Sequence, residues 1–237
     1  MEIAAQIFGY LGAGVTIALG IPQLVHQLKT KKTGNVNFIS FWIFYIGLLL
    51  WISLGVWHEN PATAISIFIS NFGCGVVYTF TMYFLYHYYD KKTKKMMFGA
   101  IGGIAGFSFI SAILLLLFIL RFSYFKENFA TLNGYSGIIF PLIVPAFTTL
   151  AFFPQFIIGV KNKNFNGITP YMALLFIFNC TLWVLHSVFA ILANPDASNG
   201  LIGVIVWNVI CGIIYAFQFG FIFAYNRRNR LVYDVVN

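Results

Sequence analysis

Long apolar runs, each ended by a short polar or basic stretch, recur seven times along the chain. They lie near Ile3–Leu28, Asn37–Trp57, Pro61–Tyr89, Met96–Leu120, Tyr135–Val160, Thr169–Leu192 and Ser198–Asn226. A helix crosses about 30 Å of hydrocarbon in about 20 residues, so each run predicts a transmembrane helix. The longer runs must tilt or emerge among the headgroups. Composition agrees with the pattern. Sixty per cent of residues are hydrophobic and only 8% are charged, where a soluble domain carries about 25% charge. Fourteen Lys and Arg with six Asp and Glu cannot cover a soluble chain of 237 residues. The fold class is therefore all-α integral membrane protein, with the lipid bilayer as solvent. A net charge of +8 could suit nucleic acid, but the basic residues sit in short clusters between apolar runs, so no nucleic-acid partner is expected. The first run has no basic segment before it, carries Glu2 at its start and is too long for a signal-peptide core, so it is expected to stay uncleaved.

Orientation follows from the placement of Lys and Arg. One set of loops carries Lys29, Lys31, Lys32, Lys91, Lys92, Lys94, Lys95, Lys161, Lys163, Arg227, Arg228 and Arg230. The opposite set carries Arg121 and Lys126. Basic loops face the cytoplasm, so the N-terminus is expected outside and the C-terminus inside, which an odd number of spans permits.

The chain also contains a copy of itself. At an offset of 132, Pro22-Gln23 falls on Pro154-Gln155, Lys29 on Lys161, Lys31 on Lys163, Val36 on Ile168, Phe44 on Phe176 and Trp51 on Trp183. Beyond the next short loop the offset becomes 137. There Asn71-Phe-Gly-Cys74-Gly75-Val-Val-Tyr78-Thr-Phe80 lies over Asn208-Val-Ile-Cys211-Gly212-Ile-Ile-Tyr215-Ala-Phe217. Four spans separate each residue from its counterpart, so both copies share one orientation. The expected organisation is three spans, one span and three spans. Residues 1–90 form the first repeat, 91–134 a linker helix and outer loop, and 135–237 the second repeat with a cytoplasmic tail. The linker helix carries Gly99, Gly102, Gly103 and Gly106, small residues that let a neighbour approach closely. Packing is its simplest role, and a homo-oligomer is kept open.

Two Pro-Gln pairs, each near the inner end of the first span of a three-helix repeat, resemble the PQ-loop superfamily. The three-one-three layout resembles the SWEET sugar transporters, built from parallel repeats. The resemblance implies a pocket lined by Asn71 and Asn208, with Trp183 one turn after Asn179, and gates at Pro22 and Pro154. In the first copy Trp51 is kept, but Gly47 stands where the second has Asn179. Proton-coupled PQ-loop branches use an intramembrane Asp. Here Glu2, Glu59, Asp90, Glu127, Asp196 and Asp234 all lie at termini or in and near loops.

The residues themselves carry part of this reading. Asn71 and Asn208 each lie ten residues into a span, about 15 Å deep and near the midplane. An amide there must face a partner or a cavity. Two amides at matched depth suit a neutral polyhydroxyl solute, while interhelical hydrogen bonding is the plainer alternative. Trp183 is deep for an interfacial residue and reads as a pocket wall whose ring N–H can serve a solute hydroxyl. Trp51, nearer the outer surface, is read as an interfacial-belt or outer-gate residue and is kept among the substrate-binding candidates. Trp42, Trp57 and Trp207 read as interface or packing. Pro22 and Pro154 remove a backbone bond and kink their helices, and Gln23 and Gln155 make each kink a polar joint. His26 and His186 are read as packing residues able in principle to carry a proton. Cys74, Cys180 and Cys211 are intramembrane and read as small packing residues. No nucleotide loop, metal-ligand spacing or nucleophile–base pair occurs in the sequence, so neither enzyme activity nor a cofactor or metal is expected.

The function expected from sequence is facilitative transport of a small neutral polar solute, a sugar first, by alternating access in the plasma membrane. The alternative is an amino acid or vitamin-like heterocycle, coupled to protons through a His. A cargo receptor similar to the KDEL receptor would need cavity charges that are absent from the spans. The orientation is directly testable. A cysteine introduced within Lys91–Lys95 should resist an impermeant thiol reagent on intact cells, and one beside Glu127 should react; the reverse pattern would refute it.

Overall fold

A computed structural model describes the chain apart from residues 35, 133, 163–164, 166–169, 195–197 and 237, and apart from the side chains of 127, 134–135, 137–138, 198–200, 226 and 228–236. Lys163, Ile168, Thr169 and Asp196, used above, lie outside the described residues. Among those described, every element is helical: α1 (Glu2–Ala18), α2 (Ile21–Thr30), α3 (Phe38–Trp57), α4 (Pro61–His87), α5 (Lys94–Leu120), α6 (Gly134–Leu150), α7 (Phe153–Asn162), α8 (Pro170–Ala193) and α9 (Ser198–Val236). Seven stretches are long and apolar enough to cross a membrane, because α1 with α2, and α6 with α7, each make one broken span.

Both breaks fall at the Pro-Gln motifs. α1 ends just before Leu19-Gly20 and α2 opens with Ile21-Pro22, so Pro22 occupies a first-turn position where its missing N–H removes no helical bond. α6 stops at Leu150 and α7 opens with Phe153-Pro154. Each proline thus starts a new helix at the break, where the sequence suggested a kink inside one helix.

α4 lies between α1 and α3 and touches both, and α9 lies in the same way between α6 and α8. The two sets meet where α1 packs on α8 and α3 packs on α6, while α5 rests on α3 and α4. The α1–α8 contact is made possible by a small-residue stripe on α1: Ala5, Gly9, Gly12 and Thr16 are its buried positions. A Cβ at Gly9 would lie 2.9 Å from His186 Nδ1, and one at Gly12 would lie 3.3 Å from Trp183. Of the linker-helix glycines, Gly103 admits the Trp42 ring, whereas a Cβ at Gly99, Gly102 or Gly106 would meet nothing within 4 Å. The close approach expected of all four is therefore made by Gly103.

Arg121 departs from its reading as a loop residue. Helix α5 continues through a π-helical turn over Arg121–Phe125, and Arg121 is buried. Its guanidinium donates to the carbonyls of Val56 and His58, both at 2.6 Å. A cation at the C-terminal end of α3 is favoured by the helix dipole, and these bonds satisfy end carbonyls that have no helical partner. Burial beside it pushes the His58 imidazole below its usual value, against a smaller opposing pull from Glu59.

The tightest backbone approach joins α3 to α4. A Cβ at Gly55 would stand 2.8 Å from the backbone N and Cα of Phe68, which cannot rotate away. Gly55→Ala should therefore lower thermal stability in detergent by about 1–3 kcal/mol, as overpacking does, while Gly102→Ala should leave it unchanged. Equal melting curves for the two variants would show that the approach is not a constraint.

Candidate functional site

A cavity of about 100 Å³ lies between the helices of the two repeats. It begins near Thr63 and Leu201, in the first turns of α4 and α9, and runs inward past Trp51, Asn71, Trp183 and Asn208 to Leu19, Phe44 and Phe176. Asn71, Asn179 and Asn208, with Trp51 and Trp183, are all in its wall. Trp207, assigned to packing from sequence, lines it as well. The Pro-Gln residues do not; they lie nearer the Lys-rich ends of their spans.

The paired amides hold matching positions. Asn71 Nδ2 donates to the Ile67 carbonyl at 2.9 Å, and Asn208 Nδ2 donates to the Val204 carbonyl at 2.8 Å. Each reaches one turn back along its own helix, so neither bonds another helix. Both use an N–H in this way and keep the amide oxygen, an acceptor with two lone pairs, for the cavity. Asn71 is 7% exposed.

The tryptophans are arranged differently from the sequence expectation. Trp183 Nε1 donates to Thr16 Oγ1 at 3.1 Å, and Trp51 Nε1 donates to Thr148 Oγ1 at 3.1 Å. Each indole N–H is thus committed to a threonine of the other repeat and leaves only ring surface for a solute. Thr16 and Thr148 were missed in the sequence, though the offset of 132 that pairs Trp51 with Trp183 pairs them too. The hydroxyls turn back on their own helices, to Gly12 O at 2.8 Å and Pro145 O at 3.2 Å. Thr16 Oγ1 also lies 2.8 Å from the Asn179 amide oxygen. One hydroxyl hydrogen cannot serve both carbonyls. Exchanging the O and N of Asn179 removes the conflict: its Nδ2 then donates to Thr16 Oγ1, and its oxygen turns to the cavity.

Toward the Lys-rich face the cavity is closed by buried rings. Phe44 and Phe176 meet edge-on at 5.5 Å, Phe152 packs against both, and Tyr215 stacks on Phe176 at 4.2 Å. Tyr78, the counterpart of Tyr215, packs on Phe44 at 4.8 Å. Below this layer the buried Gln155 accepts a hydrogen bond from the backbone N–H of Asn37, at the start of α3. The glutamine of the second motif thereby caps a helix of the first repeat. Gln23 is buried at the equivalent place. His26 stays outside the cavity wall, whereas His186 is in it. Cys180 and Cys211 face one another across α8 and α9 within the wall.

The Trp–Thr bonds join the two repeats, so their contribution is measurable as coupling. A Trp183→Phe, Thr16→Val double-mutant cycle on thermal stability should give about 0.6 kcal/mol, the average for interhelical bonds in membranes, and Trp51→Phe with Thr148→Val a similar value. Additive effects in both cycles would show that the bonds do not hold the repeats together.

Comparison with known proteins agrees with this architecture. Residues 4–64 match the family model described as PQ loop repeat. An uncharacterized protein of Methanocaldococcus jannaschii is 28% identical over 60 residues, 25% of this chain and 64% of that protein's length. The match therefore spans less than two thirds of that relative. A solved eukaryotic SWEET transporter superposes with a TM-score of 0.58, covering 95% of this chain and 98% of the other, at 14% identity. At that identity the likeness is one of fold. Residues 4–64 thus resemble a PQ loop repeat, and the chain as a whole has seven membrane-capable helices in a SWEET-like fold.

Proposed function

We propose that this protein is a facilitative transporter of a small neutral polar solute, a sugar first, working by alternating access. The observation that carries the reading is the pair Asn71 and Asn208. They are repeat counterparts, both in the cavity wall, and both bond only within their own helices, so each holds an amide oxygen ready for a solute. Indole faces of Trp51 and Trp183 offer stacking surface for a sugar ring or a heterocycle. The cavity wall carries no Asp, Glu, Lys or Arg among the described residues, which suits a neutral solute and passive uniport. The repeats are residues 1–90 and 135–237, joined by a linker helix within 91–134. They rock about the site, with the Pro-Gln breaks at Pro22 and Pro154 as hinges and Gln23 and Gln155 closing the Lys-rich side. That side is cytoplasmic in this reading, in the plasma membrane.

Asn71→Ala and Asn208→Ala should each weaken solute binding by about 1–3 kcal/mol, the cost of an unpaired buried polar partner. Thermal stability without solute should hardly change. Normal binding with crippled stability would make the amides structural. In vesicles, uptake should follow the solute gradient alone. Accumulation above equilibrium that collapses with a protonophore would replace uniport by proton coupling.

A further inference from the structure

The two repeats present unlike walls to the cavity. On α3 the lining residues are Phe44, Leu48 and Trp51, and the N–H of Trp51 is committed to Thr148. On α8 their counterparts Phe176, Cys180 and Trp183 are joined by Asn179, His186 and Ser187. At the offset of 132 those three polar residues fall on Gly47, Leu54 and Gly55. Between the counterpart helices α3 and α8, the distinguishing polar groups therefore stand on α8; Thr63 on α4 and Thr149 on α6 add hydroxyls elsewhere in the wall.

His186 has a defined role in that wall. Its Nδ1 lies 2.8 Å from the Ala5 carbonyl. A carbonyl only accepts, so Nδ1 carries the hydrogen and the neutral ring keeps a lone pair on Nε2. The absent side chain of Gly9 gives the ring its place, and Trp183 holds it edge-on at 5.4 Å. In the exchanged assignment of the Asn179 amide, with its Nδ2 on Thr16 Oγ1, α8 offers two acceptors. Ser187 adds a buried hydroxyl that bonds no described residue and can take either role.

We propose that the cavity takes an amphipathic solute, one edge of which donates hydrogen bonds to His186 and Asn179 while the opposite, apolar edge rests on Leu48 and the Trp51 ring. His186 is then a specificity-determining residue, which selects one of two orientations that the Asn71 and Asn208 pair alone would accept equally. This inference rests on the transporter reading and narrows its substrate class to rings polar along one edge.

Binding to the purified full chain tests it with matched probes. One pair is D-galactose and D-fucose, its 6-deoxy form, in which one hydroxyl is replaced by hydrogen to leave an apolar methyl. The other is purine and benzimidazole, alike in shape but with ring nitrogens removed from one edge. The one-edged member of at least one pair should bind about tenfold more tightly, the scale of discrimination one small group gives in a pocket. His186→Leu should weaken that binding by about fivefold or more, and His186→Gln, which keeps an acceptor, should restore most of it. Leu48→Asn should erase the preference within the pair without touching α8. Equal binding within both pairs, unchanged in His186→Leu and Leu48→Asn, would overturn the one-sided site and leave the transporter reading standing. Absence of binding by all four probes, with uptake of another solute still abolished in Asn71→Ala, would likewise overturn it alone. Absence of both binding and uptake would overturn the two together.

Discussion

In hydrocarbon no water completes a hydrogen bond, so each polar atom inside the helical bundle must meet another protein atom or a cavity. The internal order of this fold follows from that constraint. Threonine hydroxyls turn back on their own helices and still accept from an indole of the facing repeat. Arg121 ends on carbonyls at the close of α3, and Gln155 supplies the acceptor that the first turn of α3 lacks. Polar side chains are thereby spent on joining helices. The amides of Asn71 and Asn208 bond only within their own helices and join no second helix.

The same constraint explains how much could be read from the sequence. Seven apolar runs and their basic punctuation are set by bilayer thickness and charge, both properties of single segments, and the structure reproduces all seven spans. The internal match of the sequence pairs Asn71 with Asn208, and the structure gives both the same bond, one turn back along their own helices. Trp183 and Trp51 were found, but the fate of their ring N–H was not, because Thr16 and Thr148 are unremarkable residues in apolar helices. Their partners are supplied by helices more than 90 residues away. Arg121 looked like loop punctuation, since nothing local says that a helix will continue past a cation; the carbonyls that hold it belong to α3. Trp207 was placed at an interface for want of any signal of which way its face of α9 turns.

The ring layer and the glutamine cap give the closed side a particular composition. Phe44, Phe176, Tyr78 and Tyr215 come as two counterpart pairs, while Phe152 stands where the first repeat has Gly20. The layer is therefore symmetric in its frame and asymmetric in its filling. The walls above it have the same character, with α3 apolar and α8 polar. At Phe152, Asn179, His186 and Ser187 the second copy places bulk or polarity where the first has glycine or leucine.

The crossed Trp–Thr bonds carry one more consequence. The first copy contains both a donor, Trp51, and an acceptor, Thr16, yet neither bonds the other; each reaches into the second copy, which returns the complementary pair. A surface holding both halves of a reciprocal bond is self-complementary. Two identical copies of the first three-helix unit, related by a two-fold axis, could form both bonds with no second sequence at all. The present chain carries both halves of the reciprocal bond in one sequence, so that counterpart positions can differ, as Gly47 and Asn179 do, without loss of either bond.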